Sequence, residues 1–262
     1  MNFQEENWLN LFGYCTEEGT TWHALTTVYS PELEVMRTYK FTRKFTSNAD
    51  RSIIAHQNTY YLPDGTVNEK SWTIEKQSCN LSDGVCHPEG QKMRAIGFGN
   101  QTSIWVSKNI DDESNLGSEV FLKHDNWRYG LLTIYKNGNL DRFVIIKENT
   151  QNFPDTVAEN TITNLEGKWH LERTKVQPNL EYFTETFSHQ EIDINSSVAI
   201  NTNFFLPEKV LINLPKVVPI DQAFEITVGQ QTGENLYRQI KIQYDSTGQL
   251  SGLISEVYTL EN

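Results

Sequence analysis

The stretch from Val35 to Phe45 alternates residue by residue, and that alternation limits what the chain can become. A period of two puts successive side chains on opposite faces of a strand, whereas a helix needs apolar residues every three to four positions. One face collects Val35, Arg37, Tyr39, Phe41, Arg43 and Phe45; the other collects Met36, Thr38, Lys40, Thr42 and Lys44. The first face is mostly apolar, so it is expected to point inward and to carry two arginines with it.

The same period recurs along the chain at hairpin spacing. Strands are expected from Thr21, over Ile53–Leu62 before the turn Pro63-Asp64-Gly65, and over Ser71–Lys76, Lys92–Phe98, Thr102–Ser107 and Glu119–Lys123. Leu131–Tyr135 turns at Asn137-Gly138 into Leu140–Lys147, a strong hairpin signal. Ser78–Gly90, with Cys79, Cys86, His87 and Pro88, reads as a loop. Beyond a polar linker at 148–163, strands are expected over Lys168–Val176, Tyr182–Ile194, Ser197–Leu206, Val210–Leu214, Phe224–Val228, Tyr237–Tyr244 and Leu250–Leu260. Residues 4–14 form the exception: Trp8, Leu11 and Phe12 make one apolar helical stripe, suited to capping the open end of a barrel. The reading is all-β, with a short N-terminal helix, a first barrel over 1–150 and a second over 160–262.

The two halves echo each other. Asn10-Leu11-x-Gly13 resembles Asn164-Leu165-x-Gly167, and Tyr60-Tyr61-Leu62-Pro63-Asp64 resembles Phe204-Phe205-Leu206-Pro207-Glu208. Arg128 precedes Gly138 by the same interval as Arg238 precedes Gly248. These matches fall in one order, as a duplicated β-unit would leave them. Gly167-Lys168-Trp169 starts the second unit; the first has no Trp beside Gly13, the next along the chain being Trp22.

A Gly-x-Trp on the first strand and an arginine near the last strands resemble the calycins, which include lipocalins and fatty-acid-binding proteins. That resemblance implies that Arg238 packs across Trp169 and closes the second barrel. The whole chain is similar to the cyanobacterial and chloroplast family called domain of unknown function 3598. The residues that carry the similarity are Arg37 to Phe45, Tyr61-Leu62-Pro63-Asp64-Gly65, Cys79 to Pro88, Arg128 to Leu140 and Gly167-Lys168-Trp169. The resemblance implies tandem calycin-like barrels and an assembly role, since a plant chloroplast member is implicated in ATP synthase biogenesis.

Charge restricts the partners. The 262 residues carry a formal net charge of −12, which argues against binding nucleic acid or anionic membranes and fits a protein partner with a basic surface. No apolar run has the length of a membrane span, and the first residues lack a signal-peptide pattern, so a cytoplasmic protein is expected. Three cysteines are too few for a disulfide framework, and Cys79-x6-Cys86-His87 lacks the second ligand pair that zinc wants. Neither a catalytic nor a cofactor motif is present, and Gly97-Phe98-Gly99 is too short to cradle phosphate.

Two function classes follow. One is a non-enzymatic assembly or interaction factor. The other is a barrel that binds a small apolar anion, such as a fatty acid or a bilin, through Arg37 and Arg43, with Tyr39, Trp105, Trp127 and Arg128 placed to line the same cavity. A buried guanidinium needs an anion. Either a ligand carboxylate or an internal Asp or Glu meets that need, or the arginine lies at a rim. An open cavity with an arginine inside favours the binding barrel, and a filled interior favours the interaction factor.

Overall fold

The computed structural model describes residues 2–62, 64–99, 101–111, 113–194, 199–219 and 221–261. Pro63 of the expected first turn, Asp112 of an acidic loop and the start of the strand expected from Ser197 lie outside them. The chain divides into two compact units: one of Met1–Lys108, Gly117–Ile134 and Asp141–Val157, the other of Asn109–Leu116, Tyr135–Leu140 and Ala158–Asn262. The fold is all-β, two antiparallel barrels in tandem with a short N-terminal helix.

The first unit opens with α1 (Phe3–Phe12). Asn2 caps it, its side-chain oxygen accepting from the Glu5 backbone N–H at 3.2 Å, and Glu5 and Glu6 lie favourably at its positive end. Trp8 and Phe12 are buried one turn apart. The helix lies on a strand at Gly97, where an added Cβ would come within 2.8 Å of the Asn10 Cβ. Only glycine permits that approach, so Gly97-Phe98-Gly99 is a packing feature. Asn7 fixes the crossing: its amide nitrogen donates to the Ala95 carbonyl at 3.2 Å and its oxygen accepts from Gly97 N–H at 2.9 Å.

Strands β1 (Thr20–Tyr29), β2 (Val35–Ser47), β3 (Ile53–Tyr61) and β4 (Val67–Glu75) lead to the short α2 (Lys76–Cys79). Then come β5 (Asn80–Leu81), β6 (Gly84–His87), β7 (Gly90–Gly97), β8 (Thr102–Ser107), β9 (Leu116–His124), β10 (Trp127–Lys136) and β11 (Asn139–Asn149). They form one sheet in the order β4-β3-β2-β1-β11-β10-β9-β8-β7-β6-β5. It is nearly closed. α2 joins the two edge strands, and Trp72 on β4 packs its ring against His87 on β6, centroids 5.4 Å apart. Ser78–Gly90, expected as a loop, is therefore structured, and it brings the sheet's edges together.

β2 corrects one expectation. Phe41, Arg43 and Phe45 are buried, but Val35 and Arg37 on the same nominal face are exposed. β3 pairs only with Lys40 to Ser47, so the first residues of β2 have β1 alone beside them. The pairing also slips at Val28/Tyr29, a bulge that bends the strand there.

The second unit carries β12 (Trp169–Val176), β13 (Tyr182–Gln190), β14 (Thr202–Leu206), β15 (Val210–Leu214), β16 (Phe224–Gly233), β17 (Leu236–Tyr244) and β18 (Leu250–Leu260), in the order β13-β12-β18-β17-β16-β15-β14. Bridges from Asn109 to Gln249 and from Asn139 to Val217 tie in its two outlying segments. The Tyr135 hydroxyl also donates to the Pro215 carbonyl at 2.6 Å. In both units the first strand pairs with the second and with the last. The order is broken between β4 and β5 in the first and between β13 and β14 in the second.

The echo at Gly13 is not structural. Gly13 ends α1 at φ −59°, its N–H bonded to the Leu9 carbonyl. The counterpart of Gly167 and Trp169 is Gly19 and Trp22 at the start of β1. Both glycines have positive φ (81° and 119°), and a histidine follows each tryptophan. The first barrel has a tryptophan at the corresponding place.

Candidate functional site

Four charged side chains from four strands meet inside the first barrel: Arg43 (β2), Glu119 (β9), Arg128 (β10) and Glu148 (β11). Arg43 Nη2 donates to Glu119 Oε1 at 3.1 Å, and its Nε lies 3.3 Å from Glu148 Oε1. Arg128 Nε donates to Glu148 Oε2 at 2.5 Å. Glu148 is fully buried, and Arg43 and Arg128 nearly so. Burial alone would lower the Arg43 pKa, but the charges of Glu148 and Glu119 outweigh it and hold the guanidinium above its usual range. The cluster is thus self-neutralising, two cations against two anions. Buried charge is costly, and mutual pairing with aromatic cover offsets that cost. Arg128 lies over Trp22 (4.3 Å to the centroid) and Phe121 (5.0 Å), and Arg43 lies over Phe121 (5.1 Å).

Beside the cluster is a cavity of about 250 Å³ walled by Phe45, Trp72, Trp105 and Phe121, with His56, Asn58 and His87 among its polar groups. Its rings form a continuous chain. Phe45 stacks on His56 (4.4 Å), His56 meets Trp72 (4.9 Å), and His87 meets Trp72 (5.4 Å) and Trp105 (5.5 Å). Burial and the Arg43 charge push the His56 pKa down to about 3, against the opposing bond to Asn58. Burial also lowers that of His87. A second cavity, of about 330 Å³, reaches past Leu9, Asn10, Trp22 and Lys123. The two share Leu11, Tyr14, Ser103, Phe121 and Arg128, which form the partition between them.

The structure brings together Arg43, Trp105 and Arg128 of the expected ligand-binding set. Tyr39 is half-buried against Tyr60 and Phe41 and is not part of either wall. Arg37 is exposed, its guanidinium 5.6 Å from the Tyr39 ring centroid. Trp127 lies open beside the Lys147 ammonium. In the second unit Trp169 is buried, its indole N–H donating to the Leu165 carbonyl at 3.1 Å; Arg238 is buried on β17. Cys79 and Cys86 are buried and free, and among the described residues no group of three or more His, Cys, Asp or Glu is placed to hold a metal ion. No helix among the described residues is long and apolar enough to cross a membrane.

Glu119, Glu148, His56 and Trp72 were missed from sequence, although a signal existed for two of them. Val144, Ile146 and Glu148 share one parity, so the acid stands on the apolar face of its strand. Ile54, His56, Asn58 and Tyr60 share another.

The second unit repeats the device. Glu256 on β18 is fully buried. Arg173 Nε donates to it at 2.6 Å, Lys241 lies at 3.2 Å, and Gln239 and Tyr258 also donate to it. Each barrel therefore holds a buried glutamate on its last strand, between two cations.

These features define a tandem barrel protein whose first barrel carries a partitioned, half-open aromatic cavity. The family model described as "Domain of unknown function (DUF3598), N-terminal" matches residues 4–153, and the chain belongs to that family. A crystal structure of a DUF3598 protein of unknown function from Nostoc punctiforme superposes with a TM-score of 0.74 at 12% identity, covering 97% of this chain and 99% of that one. A putative AttH from Nitrosomonas europaea (7% identity, 92% of each chain, TM-score 0.22) is far more remote. So is kievitone hydratase from Nectria haematococca (8% identity, 94% and 90%, TM-score 0.21). No curated protein matches the chain in sequence.

Proposed function

We propose that this chain is a small-molecule-binding protein of the calycin type, with its ligand in the first barrel. One observation carries the reading: a cavity of about 250 Å³ walled by aromatic rings beside a buried cluster of charges. The pocket is half-open, but its deep wall at Arg43, Phe45 and Phe121 is buried, and there a core built only for stability would pack to crystal density. The volume lies just under the ~300–1,000 Å³ of drug-sized sites, so the ligand is small. The fatty-acid or bilin anion expected from the arginines is less well supported, because Glu119 and Glu148 already answer Arg43 and Arg128. A neutral ligand fits the charge balance. The assembly-factor reading, with its basic partner, draws on family resemblance and acidic charge and has no feature of this cavity behind it.

Thermal unfolding with a panel of neutral bicyclic compounds, fatty acids and bilins tests the proposal. A ligand at a hundredfold its Kd adds about 2.7 kcal/mol to the folded state. That raises Tm by several degrees, roughly 2–4 °C per kcal/mol for a unit of this size. If no compound in the panel shifts Tm, the binding reading fails.

A further inference from the structure

His56 and His87 face the same cavity on either side of Trp72, and each imidazole has one ring nitrogen bonded to a neighbouring group. The Asn58 amide nitrogen donates to the Tyr60 hydroxyl at 3.2 Å, leaving its oxygen to accept from His56 Nε2 at 2.9 Å. In this amide orientation His56 carries its proton on Nε2, and Nδ1 is a bare acceptor. At His87 the other ring nitrogen is the bonded one. The Glu89 backbone N–H donates to Nδ1 at 3.1 Å, so the proton is on Nε2 and that nitrogen is a donor. Among the described residues nothing bonds to His56 Nδ1 or His87 Nε2.

From this pair, and resting on the binding reading above, we infer the chemistry of the ligand: a flat, neutral ring system with a hydrogen-bond donor that meets His56 and an acceptor oxygen that meets His87, as in a hydroxylated aromatic ketone. The rings of Phe45, Trp72 and Trp105 supply the flat surfaces. Both histidines are depressed in pKa by burial, so both are neutral near neutrality and their donor and acceptor roles hold. The same depression makes His56 a weak base, which suits recognition better than proton abstraction.

Quenching of tryptophan fluorescence reads the site directly, because Trp72 and Trp105 line it. The probes are 6-hydroxy-1-tetralone, its 6-methoxy analogue, tetralin and 1-naphthoate. The hydroxy-ketone is expected to bind about tenfold tighter than the methoxy-ketone, the worth of one hydrogen bond, and tighter still than tetralin. His56→Phe is expected to remove the preference for hydroxyl over methoxyl. His87→Phe should weaken both ketones about tenfold more than it weakens tetralin. Retained tetralin binding reports that each variant is folded, and the wild-type series needs no variant. If tetralin binds as well as the hydroxy-ketone, the histidine pair does not read the ligand, and the inference falls while the binding barrel stands. Preference for 1-naphthoate would also overturn it, in favour of an anion. If no probe quenches, the binding reading itself fails.

Discussion

Arg128 stacks on the indole of Trp22, its guanidinium carbon 4.3 Å from the ring centroid, while its Nε holds Glu148 at 2.5 Å. One side chain therefore links the first strand of the barrel to the last two. Replacing it by Met leaves Glu148 with Arg43 alone, and breaking a buried pair by removing one partner costs about 3–5 kcal/mol. Arg128→Lys keeps the charge and is expected to cost less. Urea unfolding of the three proteins checks the order, and a loss at Arg128→Met as small as that of an exposed ion pair would refute it.

The charge balance beside the cavity can be tipped deliberately. Glu148→Gln leaves Arg43 and Arg128 facing Glu119 alone, one net positive charge beside the aromatic walls. The variant should be less stable than the parent but should gain affinity for 1-naphthoate by about tenfold, since a carboxylate ligand now supplies the missing anion. Fluorescence titration measures this, and unchanged naphthoate binding would show that the cluster does not set the ligand's charge.

The two barrels should lose stability in different pH windows. His56 has a folded pKa of about 3 against an ordinary 6.5, so the folded state resists its protonation. The contribution is complete above about pH 6.5 and is lost as pH falls toward 3, a span worth on the order of a few kcal/mol. Glu256 behaves differently. Burial would raise its pKa, but Lys241, Gln239 and Arg173 hold it below the usual carboxylate range. Its contribution is present above the ordinary value of 4.5 and is lost only below that, as pH falls through the lower folded pKa. Urea midpoints followed downward from neutrality should decline first through His56, and His56→Phe should flatten that first decline. An unaltered profile in the variant would refute the assignment.

Much of the strand plan was legible because alternation is a local signal. Thr102–Ser107, Val210–Leu214 and Leu250–Leu260 have the bounds that their periodicity predicts. The Asn137-Gly138 turn has both residues at positive φ, as a tight hairpin requires. Periodicity could not show where a strand outruns its neighbour, so Val35 and Arg37 were assigned to an interior they do not reach. Nor could it show which strand follows a glycine-marked start, and the helical Gly13 was read in place of Gly19. Arg43, Trp105 and Arg128 were found because large or charged residues on apolar faces stand out. Glu119 was not, because its partner Arg43 is 76 residues away, and His56, though on the same face as Ile54, meets the Trp72 and Phe45 rings only across neighbouring strands. Only the closed sheet brings them together.

The cysteines provide a check that involves no ligand. Cys15, Cys79 and Cys86 are all buried. Burial pushes the Cys15 thiol up to about 11, and burial with the neighbouring Cys79 raises that of Cys86. The thiolate is the reactive form, so steric access opposes labelling of all three, and ionisation opposes it further at Cys15 and Cys86. In the folded protein at about pH 8, where a free cysteine near its usual pKa of ~8.5 is partly ionised, an aromatic disulfide reagent should label these thiols far more slowly than an exposed one. In denaturant all three should react at the ordinary rate. Fast labelling of Cys79 or Cys86 in the native state would mean that the segment from α2 to β6 opens readily. That segment carries His87 and joins the sheet's edges, so ready opening there would also undermine a preformed cavity.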